Sequence, residues 1–149
     1  MITKCLSSIL SFNFIRRMYL EQLIEDEDCQ TLQKNEKQIA EYIDHEVQEK
    51  STKPETYLIY KISKCQNKTA GIIMFQTLKR SCDKYSRYTW VELMKVLGSP
   101  MMFGAVISQN IKLLEHTMSH VDEIYLERLL YDVEAPKIVK WYDENFVLT

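Results

Sequence analysis

The final third of the chain, residues 88–146, constrains the fold most strongly, because its pattern predicts a strand, a tight turn, a long helix, a second strand and a shorter helix. The expected strands cover 88–96 and 122–131, and the expected helices cover 101–120 and 135–144. A helix that begins at the edge of a sheet presents free backbone N–H groups and the positive end of its dipole. The pattern therefore predicts a site for a phosphate or an acyl oxygen.

The first half of the chain adds three more expected strands and one helix. Residues 12–24 are apolar and roughly alternating, and residues 56–62 and 69–75 are rich in β-branched and aromatic side chains, which favours strands. Helical spacing of apolar residues runs over about 32–48. The predicted fold is α/β (α+β), with a mixed, mostly antiparallel sheet, helices on both faces, and the order β-α-β-β-β-α-β-α. An alternative is a small all-helical protein in which 57–78 is not a hairpin.

Composition narrows the classes of function. The 149 residues are expected to form one domain, and a net charge of −2 without a basic face argues against a nucleic-acid partner. The sequence contains no run of 18 apolar residues, so it predicts no transmembrane segment. Residues 1–17 are basic and lack acidic residues, which is typical of a targeting segment or an N-terminal extension ahead of a core over 18–149. Four widely spaced cysteines favour reduced thiols and an intracellular location, either cytoplasmic or mitochondrial.

Three residues are candidates for acid–base chemistry. Glu92 and Glu127 fall on expected strands, where partial removal from water raises a carboxyl pKa and makes a general base for an amine. Tyr142, near the end of the last expected helix, is a candidate proton donor. His116 and His120 have the spacing of metal ligands on one helix, but no third ligand accompanies them, and we expect no metal.

Several segments together resemble one known family, the GNAT (Gcn5-related) N-acetyltransferases. The resemblance lies in the order of elements over about 12–146 and in five short segments: Ala70-Gly-Ile-Ile, Leu93-x-x-Val96 followed by Pro100, Ile124-Tyr-Leu-Glu, Asp132-Val-Glu-Ala135, and Trp141-Tyr-Asp-Glu-Asn-Phe146. The chain is similar to a degenerate and C-terminally truncated member. Phe103 and Val106 stand where the family has the basic or amide residue and the first glycine of its pyrophosphate loop.

The resemblance implies a cofactor and a reaction. The family binds acetyl-CoA and transfers its acetyl group to a primary amine. Glu92 or Glu127 would then deprotonate the amine, and Tyr142 would protonate the departing thiolate. The residues implied in cofactor binding are Val96, Gly104, Ala105, Ser108 and Asp132.

Two functions follow from these observations. The altered cofactor loop favours a protein that has lost activity and serves as an interaction or assembly subunit, bound to a protein partner or to a second copy through its C-terminal sheet edge. The alternative is an active acetyl-CoA-dependent N-acyltransferase. The sequence leaves open whether the protein is an enzyme.

Overall fold

All regular elements in the described part of the chain are helices. The computed structural model describes residues 2–118 and 123–146. A single 3-10 turn, Pro54–Thr56, precedes α4. The helices are α1 (Ile2–Glu25), α2 (Cys29–Gln33), α3 (Glu36–Glu49), α4 (Leu58–Ser63), α5 (Lys68–Tyr85), α6 (Trp90–Ser108), α7 (Ile111–Met118), α8 (Glu123–Asp132) and α9 (Pro136–Phe146).

The predicted α/β sheet fold is therefore wrong, and the all-helical alternative is the architecture observed. The segments expected as strands lie in α1, α4, α5, α6 and α8, and no strand occurs within residues 2–118 and 123–146. The error has a physical cause. Short apolar runs rich in tyrosine, isoleucine and threonine suit a strand and a buried helix equally well, and only packing decides between them.

Buried residues have helical spacing in segments that the sequence predicts as strands. In α5 the buried side chains of Ala70, Met74 and Leu78 recur every fourth residue, and Asn67 caps the helix by accepting a hydrogen bond from the Ala70 N–H at 3.2 Å. The helix expected over 135–144 is present as α9. The helix expected over 32–48 is divided into α2 and α3.

The long apolar helix α6 lies at the centre of the packing. It contacts α3, α4, α5, α7, α8 and the 3-10 turn. Its side chains are apolar on nearly every side, which is typical of a helix surrounded by others. The tight turn predicted at residues 97–100 is wrong, because Leu97 and Pro100 lie within α6 and are buried.

One property of α6 bears on the expectation of no transmembrane segment. Among the described residues it is the one helix long and apolar enough to cross a membrane, and 56% of its most apolar window is buried inside the protein. Residues on opposite sides of the helix are fully buried, such as Leu93 and Met102, which lie nine residues apart. These contacts are those of a core helix.

Helices α4 and α6 approach each other closely where they cross at Gly104. A Cβ atom at this position would lie 1.8 Å from Ser63 Oγ, 3.0 Å from the Tyr60 carbonyl oxygen and 3.1 Å from Ser63 Cβ. Ser63 Oγ donates a hydrogen bond to the Tyr60 carbonyl at 2.7 Å, and Ser108 Oγ donates one to the Ser63 carbonyl at 2.7 Å. Only glycine permits this approach, since the space for a methyl group is already filled.

We expect Gly104→Ala to destabilise the protein by about 1–3 kcal/mol, the usual cost of overpacking a core. Ser63 has to rotate, and the Tyr60 carbonyl stays within 3.0 Å of the new methyl group. The matched control is Gly71→Ala in α5, where the nearest atoms lie at 3.4 Å or beyond and alanine gains helix propensity. Urea unfolding of both variants measures the difference. Equal stability of the two variants would contradict the close crossing.

Candidate functional site

The outward side of α1 carries a cluster of exposed apolar side chains, which we call the outer face: Phe14, Ile15, Met18 and Tyr19. Their exposed fractions are 64%, 64%, 54% and 44%. The positions differ by one, three, four or five residues, and thus lie on one side of the helix. A contiguous apolar patch of this kind on a protein surface marks a site of interaction.

The polar residues of the same helix segment point the other way. Arg16 pairs with Glu41 of α3 at 3.1 Å, and Arg17 pairs with Glu21 at 2.7 Å. Both arginines are partly buried. Leu20 is fully buried between them and the core. Surface helices normally expose their charged residues and bury their apolar ones. This part of α1 buries two charged residues in part and exposes four large apolar ones.

A small polar pocket lies between α1, α3 and the segment before α4. We call it the Glu46 pocket. It has a volume of about 130 Å³, and its lining residues are Arg17, Tyr42, His45, Glu46, Glu49, Ser51, Thr56 and Tyr57. Glu46 is buried, and its Oε2 accepts a hydrogen bond from the Leu58 N–H at 3.0 Å, at the first turn of α4. Its other oxygen, Oε1, is buried without a hydrogen-bond partner among the described residues.

Burial dominates the electrostatics of this pocket. Removal from water raises the pKa of Glu46 well above its ordinary value, and the Leu58 N–H and the Arg17 guanidinium oppose the rise. Burial, with the negative charge of Glu46, also raises the pKa of Tyr42 to about 12. Burial raises the pKa of Tyr57 in the same way. The acid at the base of the pocket therefore holds its proton more tightly than an exposed glutamate does.

The structure places the three predicted acid–base residues in two separate regions. Glu92 is exposed and belongs to a capping box at the start of α6. Its Oε2 accepts from the Thr89 N–H at 2.9 Å, and Thr89 Oγ1 accepts from the Glu92 N–H at 3.2 Å. Glu127 and Tyr142 are brought together, because the Tyr142 hydroxyl donates a hydrogen bond to Glu127 Oε1 at 2.7 Å between α8 and α9. Their catalytic roles stay predictions.

The residues implied in cofactor binding lie on two helices, α6 and α8. Val96, Gly104, Ala105 and Ser108 all lie along α6, with Gly104 and Ala105 buried. The Ser108 hydroxyl donates to carbonyls of α4 and α6, and Asp132 is exposed at the end of α8. No sheet exists among the described residues to form a cleft for acetyl-CoA or an edge for a partner, so the predicted docking at a C-terminal sheet edge is wrong.

Two sequence expectations fall outside the described side chains. His120 lies beyond the described residues, and the side chain of His116 is not among those described. Among the described residues no group of three or more histidine, cysteine, aspartate or glutamate residues has the arrangement of a metal site. Cys29, Cys65 and Cys82 are free thiols, and burial raises the pKa of Cys82 to about 12.

The sequence reasoning missed both the outer face and the Glu46 pocket. A helical period over 14–24 identifies Leu20, Leu23 and Ile24 as the buried stripe, and it leaves the outer face on the opposite side. The sequence therefore contains this signal, but the rough alternation of apolar residues over 12–24 predicts a strand instead. Glu46 gave no local signal, because its burial depends on the position of Leu58, which is 12 residues away in the chain.

Comparison with known proteins assigns a family. The family whose description reads "Family of unknown function (DUF5903)" matches residues 19–143. The chain belongs to this family. No curated protein and no solved structure matches the chain. The resemblance to the GNAT N-acetyltransferases, with the acyltransferase activity it implied, is corrected by this match and by a described fold that contains helices alone.

The capping box gives a direct test of the structural role of Glu92. We expect Thr89→Ala to lower the free energy of unfolding by about 1 kcal/mol, because the Glu92 N–H loses its acceptor. We expect Glu92→Gln to change it by less than about 0.5 kcal/mol, since glutamine also completes a capping box. Urea unfolding of both variants is the measurement, and a larger loss for Glu92→Gln than for Thr89→Ala would contradict this role.

The raised pKa of Glu46 predicts a pH dependence of stability. Below the ordinary glutamate pKa of about 4.3 the group is protonated in both states. As the pH rises further, the unfolded chain releases this proton first, so the contribution of Glu46 to stability falls until the pH passes the folded-state pKa. We expect the stability of the wild type to decline relative to that of Glu46→Gln between about pH 4.3 and neutrality. Unfolding curves at several pH values measure the difference, and a constant difference would contradict the prediction.

Proposed function

We propose that this protein is a helical assembly domain that pairs with a second copy of itself through the outer face of α1. The observation that carries the proposal is the second apolar side of α1, on which Phe14, Ile15 and Met18 are more than half exposed while Arg16 and Arg17 are partly buried. Covering these side chains removes apolar surface from water, which is the main driving force for association.

The distribution of charge along α1 favours a second copy as the partner. Residues 1–20 contain Lys4, Arg16 and Arg17 and no acidic residue, whereas residues 21–28 contain five acidic residues and no basic one. The helix dipole adds to this asymmetry, with its positive end at the N-terminus. Two copies of α1 packed antiparallel therefore place the half of each helix that lacks acidic residues beside the acidic end of the other, and the two acidic ends stay apart.

The register of an antiparallel pair is consistent with this charge pattern. The centre of the outer face lies near residue 16, about 12 residues or about 18 Å along the helix from Lys4. In the other direction, the acidic end of the helix at Glu25 lies about 9 residues or about 14 Å away. A two-fold axis through the outer face thus makes one surface complementary to itself, as an isologous dimer requires.

The acidic end of α1 also weighs against a lipid surface as the occupant. Glu25 and Asp26 are exposed next to the outer face, and both arginines of this segment are paired with glutamates. Helices that lie on membranes have lysine and arginine along the border of their apolar face. The border here is acidic toward its C-terminal end and would be repelled by anionic lipids.

We expect the wild-type chain to form a dimer in analytical ultracentrifugation, with a dissociation constant in the micromolar range. The double variant Ile15→Glu/Met18→Glu is expected to remain monomeric at the same concentrations, because it places like charges across the two-fold axis. The matched control is Val91→Glu on α6, which adds a glutamate at an equally exposed apolar position, 55% exposed. The control is expected to dimerise as the wild type does.

Two outcomes would contradict self-pairing. The first is a wild-type chain that stays monomeric up to several hundred micromolar. The second is a dimer that Val91→Glu disrupts as fully as the double variant, which would place the interface elsewhere. Circular dichroism of both variants and of the wild type checks that the variants retain their helices. A salt series adds a further test, since complementary charges at the ends of α1 predict weaker dimerisation at high ionic strength.

A further inference from the structure

The Glu46 pocket combines features that the proposed assembly function does not use. Two buried side-chain polar atoms in the described part of the chain lack a hydrogen-bond partner, Glu46 Oε1 and Asn110 Nδ2. Of these two residues, Glu46 lines a pocket. We propose that this pocket binds a small organic cation, a primary ammonium group, with the Glu46 carboxylate as its main acceptor.

The charges around the pocket favour a cation over an anion. Arg17 donates to Glu21 at 2.7 Å and also hydrogen-bonds the Tyr42 hydroxyl. His45 lies 3.3 Å from Glu49. Arg17 and His45 thus each already face a carboxylate, whereas Glu46 accepts only the Leu58 N–H. A ligand that supplies N–H donors and a positive charge satisfies the remaining oxygen.

The uncharged part of the lining suits the same ligand. The Tyr57 hydroxyl donates to the Ser51 carbonyl at 2.8 Å, and the Thr56 hydroxyl donates to the Lys53 carbonyl at 2.8 Å. Both hydroxyl hydrogens are thus already donated to backbone carbonyls. The rings of Tyr42 and Tyr57 remain as walls, and aromatic faces attract an ammonium ion.

The volume of the pocket limits the size of the ligand. At about 130 Å³ the pocket has room for a short chain of heavy atoms. A butylammonium ion or the end of a lysine side chain is such a chain. The ammonium group therefore comes either from a free small amine or from a lysine of another polypeptide, and the experiment separates these two sources.

Binding is coupled to the protonation of Glu46. The buried carboxyl has a raised pKa, so its protonated form competes with the cation. Formation of the ammonium–carboxylate pair releases this proton to solvent, and affinity is expected to increase as the pH rises toward the folded-state pKa. The other titratable groups that face Glu46 are Arg17, Glu21, Tyr42, His45, Glu49 and Tyr57. A His45→Gln variant separates the contribution of the imidazole, and we expect it to retain the increase.

The test is a titration of the full-length, isotopically labelled protein with butylammonium chloride, followed through amide chemical shifts. We expect a saturable shift of the Leu58 amide, which reports directly on the Glu46 carboxylate. 1-Butanol at the same concentrations is the neutral control and is expected to give no saturable shift. Glu46→Gln keeps an acceptor for the Leu58 N–H and loses the charge, and we expect it to weaken binding at least about tenfold.

A matched variant guards against a general charge effect. Glu55→Gln removes an exposed carboxylate of the 3-10 turn that is not part of the pocket lining, and we expect it to change affinity less than about twofold. Equal binding by wild type and Glu46→Gln would overturn the proposal. The absence of a saturable Leu58 shift up to about 50 mM butylammonium would overturn it as well.

The source of the ammonium group is tested with a short lysine peptide and its Nε-acetylated form, both acetylated at the N-terminus. Tighter binding of the lysine peptide than of butylammonium, lost on acetylation of the lysine, indicates a protein partner. Tighter binding of butylammonium indicates a free small amine. Neither titration depends on dimer formation. Titration of Ile15→Glu/Met18→Glu in parallel therefore distinguishes failure of the cation-binding proposal from failure of the assembly proposal.

Discussion

The contact between α4 and α6 at Gly104 is the constraint on which the arrangement of the other helices depends. The two helices approach so closely that Ser63 occupies the space of a Gly104 side chain, and hydroxyl-to-carbonyl hydrogen bonds from Ser63 and Ser108 satisfy polar groups within the crossing. Around this contact α6 buries residues on nearly all sides. The other helices then pack against a fixed centre, because a close-packed core transmits a displacement at one contact to its neighbours.

Two carboxylates of α3 form hydrogen bonds with segments that connect the helices. Glu46 accepts the first N–H of α4, and Asp44 accepts from the Ser86 hydroxyl and from the Arg87 N–H in the segment between α5 and α6. Both acids are buried. A buried acid is costly unless it is hydrogen-bonded, and the bonds made by Asp44 satisfy both of its oxygens. Glu46 satisfies one oxygen, and the other gives the pocket beside it a preference for a ligand that donates hydrogen bonds.

Part of this structure was predictable, and the errors share one physical origin. The apolar spacing over 32–48 and 135–144 is long and regular enough to identify helices, and Thr89-x-x-Glu92 is a recognisable helix start. The segments over 56–62 and 69–75 have strand-like composition. They became α4 and α5 because burial, chiefly of α4 against α6 and of α5 against α3, outweighs local propensity. The roles predicted for the three acid–base residues depend on a sheet fold. In the helical fold Glu92 caps a helix, and Glu127 meets Tyr142.

The sequence by itself determined the charge asymmetry of α1, the apolar character of α6 and the helix-capping residues, since these depend on residues close together in the chain. The spacing of Leu20, Leu23 and Ile24 also indicates which side of α1 is buried. Tertiary structure alone decided the pairing of Arg16 with Glu41, which is 25 residues away in the chain. It also decided the burial of Glu46 beside Leu58 and the approach of Ser63 to Gly104. These are contacts between distant segments, and their free energy arises from desolvation and packing that no local pattern encodes.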